Sequence, residues 1–584
     1  MKNFFKMVFA TMLGFILLQV LAFIIMLFVI AGMAASLGNK SAVVKDNSVL
    51  CLELNGTLCE RVAEDPFEGL YGANTSNIAL NDVLNSIKNA KNDDKIKGIS
   101  IEVNNLNASL ASVEEIRNAL SDFKKSGKFI YAYGENYTQG QYYLASVADK
   151  VFVHPEGMFD MHGLSMQVMF FKQLLNKLDI DMQIVKVGTY KSAVEPFVLD
   201  HISDANKEQI SALLFSEWNH MLNQISASRG ISAEQINADC DALSLFSNLN
   251  SAKEKGYIDA VMYQDEYTSY LKKQLGMDAK EDIAYITPKQ YASASVTPSN
   301  AKNIIGVVYA TGNIIDGEGD NGTIGRNIAD QIEDLAEEDN VKAIVLRINS
   351  GGGSALMSEN IWREIVRLKK HKPIVVSMSD VAASGGYYIA CAADYIVAQP
   401  TTITGSIGVF GMIPNVQGLM QKIGVTIDEV STNKHASILG INRAMDGEER
   451  AVMQQYVNKT YNTFLTRVAD GRNITTDYVD SVGQGRIWSG TDALKLHLVD
   501  TLGGIDVAIA KAAQLAKVKN YRIESYPHMK NVWEEFAESM MNKTMLLSKQ
   551  RAELGDMYMY FNYLQNSVQM SGVQAIIPFE FSIE

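Results

Sequence analysis

The feature that most constrains the fold of this 584-residue chain is an internal duplication. Residues 97–104 (KGISIEVN) match residues 342–349 (KAIVLRIN), and the two segments start 245 positions apart. The same spacing recurs without a gap farther along the chain, where it aligns Tyr142-Tyr143 with Tyr387-Tyr388, Ala148-Asp149 with Ala393-Asp394, and Pro155 with Pro400. Beyond these, Asp259 matches Asp500 at a spacing of 241 positions. A register held over so long a stretch predicts two related domains.

The duplication also predicts how the chain is divided. Residues 1–46 precede the first repeat, residues 47–300 form it, residues 301–525 form the second repeat, and residues 526–584 form a C-terminal tail. Residues 287–301 are rich in Ser, Thr, Ala and Pro and poor in large apolar groups, which is the composition of a linker.

Each repeat has the alternating pattern of an α/β fold. In the second repeat, short segments rich in Val and Ile are typical of buried parallel strands. These segments are residues 304–309, 343–348, 374–378 and 394–398. Patterns of helical length lie between them, at residues 328–337, 357–370 and 386–393. The alternation predicts βαβ units with right-handed crossovers.

The N-terminal segment predicts a membrane anchor. No charged side chain occurs between Met7 and Asn39, and the apolar stretch 8–31 is longer than the roughly 20 residues that span a bilayer. A cleaved signal peptide has an apolar core of only about 7–15 residues, so we expect an uncleaved transmembrane signal-anchor, with cleavage near Met33 as the alternative. Lys2 and Lys6 favour a cytoplasmic N-terminus. The expected location is therefore the inner (cytoplasmic) membrane, with a single pass and the body on the periplasmic, extracytoplasmic side.

Charge and cysteine content exclude several classes of protein. The chain carries 52 Lys and Arg against 66 Asp and Glu, a net charge of −14, which excludes a nucleic-acid binder that relies on neutralising phosphates. The four cysteines form no CxxC pair, so neither a zinc ribbon nor a disulfide framework is indicated. Whether Cys51 and Cys59 pair is left open.

Ser384 is a candidate nucleophile. It stands between small residues just before a predicted helix, and Ala382 and Gly386 permit the tight strand-to-helix turn that exposes a hydroxyl. The first repeat has Gln139 at the matching position, so it lacks that hydroxyl. The alternative is that Ser384 only caps the helix.

Three consecutive glycines, 351–353, follow a predicted strand of the second repeat and have no counterpart in residues 105–108 of the first. Glycines allow backbone N–H groups to approach a ligand closely. We therefore predict an oxyanion hole formed by the N–H of Gly352 (or Gly353) together with that of Gly385. An ordinary turn is the alternative. A phosphate-binding loop is not indicated, since no Gly-Lys-Ser/Thr follows.

A nucleophilic serine needs a base. The eight histidines are scattered and suggest no Ser-His-Asp triad. A lysine can serve if its pKa falls from about 10.4 to near 8. Lys191 is a candidate, and Ala436 replaces it in the second repeat. The alternative for Lys191 is an exposed loop lysine that pairs with Glu195.

Three motifs carry a resemblance to a known family. They are YKSAVEPF at 190–197, AASGGYY at 382–388 and TGSIGVFG at 404–411. Their sequences and order closely resemble the bacterial signal peptide peptidase A family, whose long form is also called protease IV. The resemblance covers nearly the whole chain and implies two tandem ClpP/crotonase-like repeats.

The resemblance implies a Ser–Lys dyad assembled across the repeats. Ser384 would be the nucleophile, Lys191 the general base, and Ser406 the hydroxyl that orients the lysine. Gly352 and Gly385 would supply the oxyanion amides. The family usually has Ser-Pro-Gly-Gly after the strand, whereas Gly351 stands here in place of the proline. With Gly351 in place of the proline, we expect the loop after the strand to be less rigid than in the family.

The resemblance further implies a membrane-anchored serine endopeptidase that degrades cleaved signal peptides and other apolar peptides. It implies no metal or other cofactor, and it implies a homo-oligomer, a ring-like tetramer. Two other classes stay open at this point, a crotonase-like acyl-CoA enzyme and a catalytically inactive membrane scaffold.

Overall fold

The computed structural model describes residues 43–63, 77–246, 248–295, 301–320, 322–529 and 573–576, with residues 6, 11–15, 17–19 and 21 near the N-terminus. Most of the predicted membrane anchor and most of the tail therefore lie outside the described residues. Among the residues that are described, none of the helices combines the length and the apolar character that a membrane crossing requires.

The first repeat is built around a sheet of seven strands. The strands of this repeat are β1 (Ser48–Cys59), β2 (Asn77–Ala79), β3 (Ile96–Asn107), β4 (Phe129–Gly134), β5 (Lys150–Val153), β6 (Asp181–Val187), β7 (Ala260–Val261) and β8 (Tyr285–Ile286). The sheet has the order β2-β1-β3-β4-β5-β7, β8 also pairs with β1, and each described pair is parallel. β6 belongs to a different sheet.

The helices of the first repeat connect and cover these strands. They are α1 (Leu80–Asn92), α2 (Leu110–Lys124), α3 (Gln139–Ala145), α4 (Lys172–Lys177), α5 (Glu195–Val198), α6 (Asp204–Arg229), α7 (Ala233–Asp241), α8 (Leu249–Glu254), α9 (Gln264–Gln274) and α10 (Pro288–Ser295).

The second repeat is built around a sheet of eight strands with the order β18-β16-β14-β12-β9-β20. In this sheet β15 pairs with β14 and β19 pairs with β15. The strands of this repeat are β9 (Ile304–Thr311), β10 (Asn313–Ile314), β11 (Thr323–Ile324), β12 (Val341–Ser350), β13 (Gly352–Ser354), β14 (Ile374–Ala383), β15 (Tyr395–Ala398), β16 (Ile403–Gly405), β17 (Val409–Asn415), β18 (Ile487–Ser489), β19 (Thr501–Leu502) and β20 (Arg522–Tyr526).

The helices of the second repeat are α11 (Arg326–Glu337), α12 (Ala355–Leu368), α13 (Gly385–Ala390), α14 (Gln417–Lys422), α15 (Gly447–Arg472), α16 (Thr476–Val482), α17 (Gly490–Lys495) and α18 (Ile505–Leu515). They pack on both faces of the sheet. Ile344 and Leu346 of β12 lie in one apolar cluster with α11, α12 and α15, whereas Ala343 and Val345 lie in another with α18. Burial on both faces explains why residues 343–346 of β12 form a continuous apolar run rather than an alternating one.

A third sheet joins the two repeats. Its order is β11-β10-β13-β21-β17-β6, where β21 (Val573–Ile576) comes from the C-terminal tail. β6 of the first repeat pairs antiparallel with β17 of the second over seven residues. This pairing holds the loop after β6 against the second repeat.

The two repeats share individual contacts as well as topology. The Tyr142 hydroxyl donates a hydrogen bond to the Tyr257 carbonyl at 2.8 Å, and the Tyr387 hydroxyl donates one to the Leu498 carbonyl at 2.8 Å. Tyr142 and Tyr387 are the pair aligned at a spacing of 245 positions, and Tyr257 and Leu498 stand at the spacing of 241 that also aligns Asp259 with Asp500. The predicted α/β duplication is confirmed.

The predicted elements are present with shifted ends. β9, β12 and β14 extend beyond the predicted bounds, whereas β15 starts at Tyr395, one residue later than predicted. The Asp394 carboxylate accepts the Ile374 N–H at 2.9 Å. The predicted linker was wrong in part, since it contains α10. Thr287 and Gln290 form a reciprocal capping pair at its start.

Cys51 and Cys59, whose pairing the sequence left open, are free thiols.

Candidate active site

Ser384 occupies a sharp turn between β14 and α13. Its backbone has φ +55° and ψ −114°, a region that non-glycine residues rarely adopt and that costs about 1–3 kcal/mol. The Ser384 N–H donates to the Gly405 carbonyl at 2.8 Å, which fixes the turn. A Cβ on Gly386 would lie 2.6 Å from the Ser350 carbonyl oxygen, so only glycine fits there. Ser384 stands at the N-cap position, but its side chain makes no capping hydrogen bond.

Lys191 reaches this turn from the other repeat. It lies in the loop after β6, and the Tyr190 N–H donates to the Gln484 carbonyl at 2.8 Å. The Lys191 Nζ lies 2.8 Å from the Ser384 Oγ. It also lies 3.0 Å from the Ser406 Oγ and 3.4 Å from the Ser406 carbonyl oxygen. The structure thus brings together the three side chains that the motif resemblance singled out.

Burial changes the chemistry of this lysine. The Lys191 side chain is 1% exposed, and burial lowers its pKa to about 7. The contacts of the Lys191 Nζ are with Ser384 and Ser406, whereas the Glu195 carboxylate accepts hydrogen bonds from Ser203 (2.5 Å) and Asn206 (3.0 Å). The exposed Lys191–Glu195 pair considered above does not fit this arrangement. Burial therefore favours the neutral amine, the form that can accept a proton.

Two glycines make room for the lysine, and sequence reasoning missed both. A Cβ on Gly485, which has φ +79°, would lie 2.6 Å from the Lys191 Cβ. A Cβ on Gly408 would lie 3.2 Å from the Lys191 Cδ. Gly408 belongs to the TGSIGVFG motif. Its close approach to Lys191 of the other repeat could not be predicted from the sequence around either residue.

Ser406 is held by its backbone. It has φ +49°, and its N–H donates to the Arg486 carbonyl at 2.7 Å. Because the main chain fixes the residue, its hydroxyl and carbonyl oxygens present two acceptors to the Lys191 ammonium or amine. This contact restricts the orientation of Nζ.

The two predicted oxyanion glycines lie side by side. A Cβ on Gly385 would lie 3.1 Å from the Gly352 Cα, and Gly352 has φ +103°. The Gly352 N–H donates to the Ser350 Oγ at 3.1 Å. Gly353, the alternative donor, has φ +150° and approaches the Ile314 carbonyl so closely that a Cβ there would lie 2.0 Å from it. Sequence reasoning missed the role of Ser350.

A buried ion cluster holds the two repeats together. Arg347 of β12 is 1% exposed, and its Nε donates to both carboxylate oxygens of Glu60 at 3.0 Å. Its guanidinium also donates to Glu115 at 3.2 and 2.5 Å. Burial raises the pKa of Glu115, although Arg347 opposes the shift. The partners are more than 200 positions apart in the chain, so no local pattern could reveal the cluster.

The arrangement can perform proton transfer coupled to nucleophilic attack. A neutral amine at hydrogen-bond distance from a serine hydroxyl can accept its proton as the oxygen attacks a carbonyl carbon. A pKa near the working pH is the value that general base catalysis favours. The turn at Ser384 keeps the hydroxyl free of backbone capping and directed at the amine.

Comparisons with known proteins cover both repeats. The model of peptidase family S49 matches residues 122–278 and 366–519. The chain is 38% identical over 540 residues to Protease 4 of Salmonella typhi, covering 89% of this chain and 87% of that protein. It is 37% identical over 514 residues to Protease 4 of Haemophilus influenzae, covering 85% and 83%. It is 32% identical over 489 residues to the chloroplastic serine protease SPPA of Arabidopsis thaliana, covering 81% and 70%.

Proposed function

Because the chain belongs to peptidase family S49 and is a serine peptidase of the duplicated signal peptide peptidase A type, we propose that Ser384 is its nucleophile and Lys191 its general base. The observation that carries this proposal is the 2.8 Å contact between the Lys191 Nζ and the Ser384 Oγ, made by a buried lysine whose pKa is about 7.

The proposed reaction proceeds through an acyl-enzyme. Neutral Lys191 accepts the Ser384 proton while the Oγ attacks the peptide carbonyl carbon. The resulting ammonium then donates its proton to the leaving amine. A water molecule, deprotonated by the same lysine, attacks the ester, and the acyl product leaves as Ser384 regains its proton. Ser406 keeps Nζ aligned through both halves of the reaction.

The N–H groups of Gly352 and Gly385 are the proposed donors to the oxyanion. The Gly352 N–H is bonded to the Ser350 hydroxyl. For Gly352 to act, this N–H must exchange the hydroxyl for the substrate oxygen. Ser350 therefore satisfies the amide until a substrate arrives.

The proposed substrates are cleaved signal peptides and other apolar peptides. The apolar stretch 8–31 supports an anchor that would hold the catalytic body, in ClpP/crotonase-like repeats, at the extracytoplasmic face of the inner membrane. Such a location places the site beside peptides left in the bilayer.

The test of the dyad is peptidase turnover by the full-length chain in detergent on a fluorogenic apolar peptide. Ser384→Ala and Lys191→Met are compared with wild type and with Ser269→Ala, an exposed helical serine, and circular dichroism checks folding. Both site variants should fall to background while Ser269→Ala keeps wild-type turnover. Full activity in folded Lys191→Met would place the base elsewhere. If the chain turned over acyl-CoA thioesters but not peptides, the crotonase-like alternative would be supported. If it turned over neither substrate, the inactive-scaffold alternative would be supported.

We also propose that the chain forms a homo-oligomeric ring, and the duplication supports this. The residues equivalent to β17 are 164–170, and those equivalent to β6 are 426–432, at the same spacing of 245. In this part of the described chain neither segment forms a strand. Ile427 and Val430 are 50% and 101% exposed. Pairing of 164–170 with 426–432 of a neighbouring copy would repeat the β6–β17 pairing between chains and close a ring.

Native mass spectrometry of the full-length chain in detergent tests the ring. Ile427→Asp combined with Val430→Asp should release monomers from the wild-type oligomer, which the family resemblance predicts to be a tetramer. Leu243→Asp, at an equally exposed apolar residue outside both segments, should leave the oligomer intact. A wild type that is monomeric at micromolar concentration would contradict the proposal.

A further inference from the structure

A short segment of the second repeat, residues 484–487 (QGRI), packs against the loop that carries Lys191. The Gln484 carbonyl accepts the Tyr190 N–H at 2.8 Å. A Cβ on Gly188, which has φ +111°, would lie 2.5 Å from the same carbonyl oxygen. The backbones of the two repeats therefore touch beside the proposed base, and we call residues 484–487 the strap.

The strap also holds the residue that orients the base. The Arg486 carbonyl accepts the Ser406 N–H at 2.7 Å, and the Gly485 N–H donates to the Ile407 carbonyl at 2.8 Å. Ser406 in turn places its Oγ 3.0 Å from the Lys191 Nζ. One segment thus fixes the main chain on both sides of the amine.

The Arg486 side chain fastens the strap to the first repeat. Its guanidinium carbon lies 4.8 Å from the centre of the Tyr190 ring and 4.4 Å from the centre of the Trp488 ring, so it contacts one aromatic ring from each repeat. The guanidinium also donates to the Glu208 carboxylate of α6 at 2.8 Å, and the Tyr190 hydroxyl donates to that carboxylate at 3.1 Å. Only 18% of the Arg486 side chain is exposed. Arg486 is therefore bound to the first repeat through its side chain and to the second through its carbonyl.

The first repeat has no equivalent of this arginine. At a spacing of 241 positions, which also aligns the helix N-caps Asn248 and Ser489, Arg486 matches Leu245. Leu245 is fully buried in the apolar core of its own repeat. The shared fold therefore does not require a guanidinium here, and the charged group belongs to the copy that carries the proposed nucleophile.

The packing around Lys191 also sets the state of its amine. Burial is what lowers the pKa of Lys191. Charged side chains that contact its loop or lie next to it in the chain belong to Lys186, Glu195, Glu208 and Arg486. In the part of the chain that the structure describes, the hydrogen bonds of the Lys191 Nζ go to Ser384 and Ser406 instead. A change that lets water reach the amine should therefore raise its pKa.

We propose that Arg486 is a positioning residue for the reaction: by fastening the strap to Tyr190, it holds the Lys191 amine against Ser384 and Ser406 and keeps water away from it. Arg486 acts through the strap and not on the reacting atoms. The inference rests on the proposed function for the role of Lys191, but the position of the amine is testable without that role.

The kinetic experiment compares Arg486→Met with wild type, both as the full-length chain in detergent, at pH 7 and pH 9. The variant keeps a long side chain but loses the guanidinium, so kcat/KM at pH 7 should fall at least about tenfold while KM stays within about twofold. At pH 9 the loss should be at least about threefold smaller, because the higher pH restores neutral amine in the opened site. An equal loss at both pH values, or a change in KM alone, would overturn the proposal.

Two further variants serve as controls for the kinetics. Arg486→Lys keeps a charge beside Glu208 but not the planar group, so it should show a smaller loss with the same pH dependence. Arg367→Met removes an exposed arginine of the second repeat that pairs with Glu333 and Glu364, and it should stay within about twofold of wild type at both pH values.

A labelling experiment locates the amine without relying on catalysis. Two chains, Ser384→Ala alone and Ser384→Ala combined with Arg486→Met, are treated briefly with an acetyl N-hydroxysuccinimide ester, which acylates neutral amines. Peptide mass spectrometry then measures the rate at Lys191. The internal reference is Lys369, whose Nζ donates to the Ala392 carbonyl at 2.8 Å. Arg486→Met should speed acylation of Lys191 at least about tenfold and leave Lys369 unchanged.

The labelling separates this inference from the proposed dyad. An unchanged rate at Lys191 would overturn the inference even if Lys191→Met proves inactive. A faster rate at Lys191 alone would uphold the positioning of the amine even if Lys191→Met stays active. An equal rise at Lys191 and Lys369 would mean that Arg486→Met does not fold, and Arg486→Lys then replaces it in both experiments.

Discussion

The two repeats place different side chains at the same turn. Gln139 of the first repeat donates to the Gly163 carbonyl at 2.9 Å and accepts the Gly163 N–H at 3.1 Å. Its counterpart in the second repeat, Ser384, is too short to make such a bridge. Gly408, the counterpart of Gly163, instead lies against the aliphatic part of Lys191. The glutamine closes its turn onto its own repeat, whereas the serine leaves space for a lysine from the other repeat.

The positions of Ser406 and Lys191 also carry different side chains in the two repeats. Ser406 of the second repeat corresponds to Met161, which is fully buried in the apolar core of the first. Lys191 of the first repeat corresponds to Ala436 of the second. Neither repeat holds all three polar groups by itself. The duplication therefore provides one site built from both copies, and the pairing of β6 with β17 brings its halves together.

Removing Lys191 is the strongest test that the site is shared between the two repeats. Lys191→Met keeps an unbranched side chain of similar length but cannot accept a proton, so kcat/KM should fall by about 10³-fold or more. The control is Lys434→Met in the matching segment of the second repeat. Lys434 is 68% exposed and pairs with Glu448, so its loss should change kcat/KM by less than about twofold. Steady-state kinetics on the fluorogenic peptide measures both. Equal losses in the two variants would contradict the asymmetry.

The contact between repeats can be broken at Arg347. Its counterpart in the first repeat is Glu102, so the guanidinium exists in one copy only. Arg347→Met leaves Glu60 and Glu115 buried without their cation and should lower the free energy of unfolding by about 3–5 kcal/mol. Arg367→Met removes the exposed pairs with Glu333 and Glu364 and should cost less than about 1 kcal/mol. Urea unfolding measures both, and similar losses would show that the cluster does not hold the repeats together.

The pH dependence sharpens the role assigned to the buried lysine. The neutral amine is the active form, so kcat/KM should be constant above pH 7 and fall about tenfold for each pH unit below it. At pH 5 the expected loss is about a hundredfold. Burial lowers this pKa, so the activity midpoint should lie far below the ordinary lysine value. A midpoint near pH 10, or a flat profile from pH 5 to 8, would exclude a buried lysine as the base.

The smallest expected effect concerns Ser406. Ser406→Ala removes the hydroxyl that lies 3.0 Å from the Lys191 Nζ and should lower kcat about tenfold with little change in KM. Ser406→Thr, which restores a hydroxyl, should recover most of kcat. Met161→Leu at the equivalent position of the first repeat should leave kcat within about twofold. A change in KM alone would show that Ser406 contacts the substrate rather than positioning the lysine.

The sequence was sufficient for the two repeats, for four strands of the second repeat (β9, β12, β14 and β15) and for the three polar groups of the site. The fixed spacing of 245 carried the first, the runs rich in Val and Ile carried the second, and the differences between the copies, together with the family motifs, carried the third. Contacts made by residues without a local pattern were not predictable. Arg347 meets Glu60 across 287 positions, Gly485 passes the Lys191 stem, and Ser350 holds the Gly352 amide. β21 was missed because a strand of four residues inside a tail has too few positions to show a period.

The most direct test of a site shared between the repeats is covalent labelling with a fluorophosphonate, followed by peptide mass spectrometry. The wild-type chain should carry the label on Ser384, at a rate that rises with pH through about 7. Lys191→Met, with Ser384 intact and the fold verified by circular dichroism, should label at least about a hundredfold more slowly. A label on a different serine, or equal labelling rates in wild type and Lys191→Met, would contradict the account.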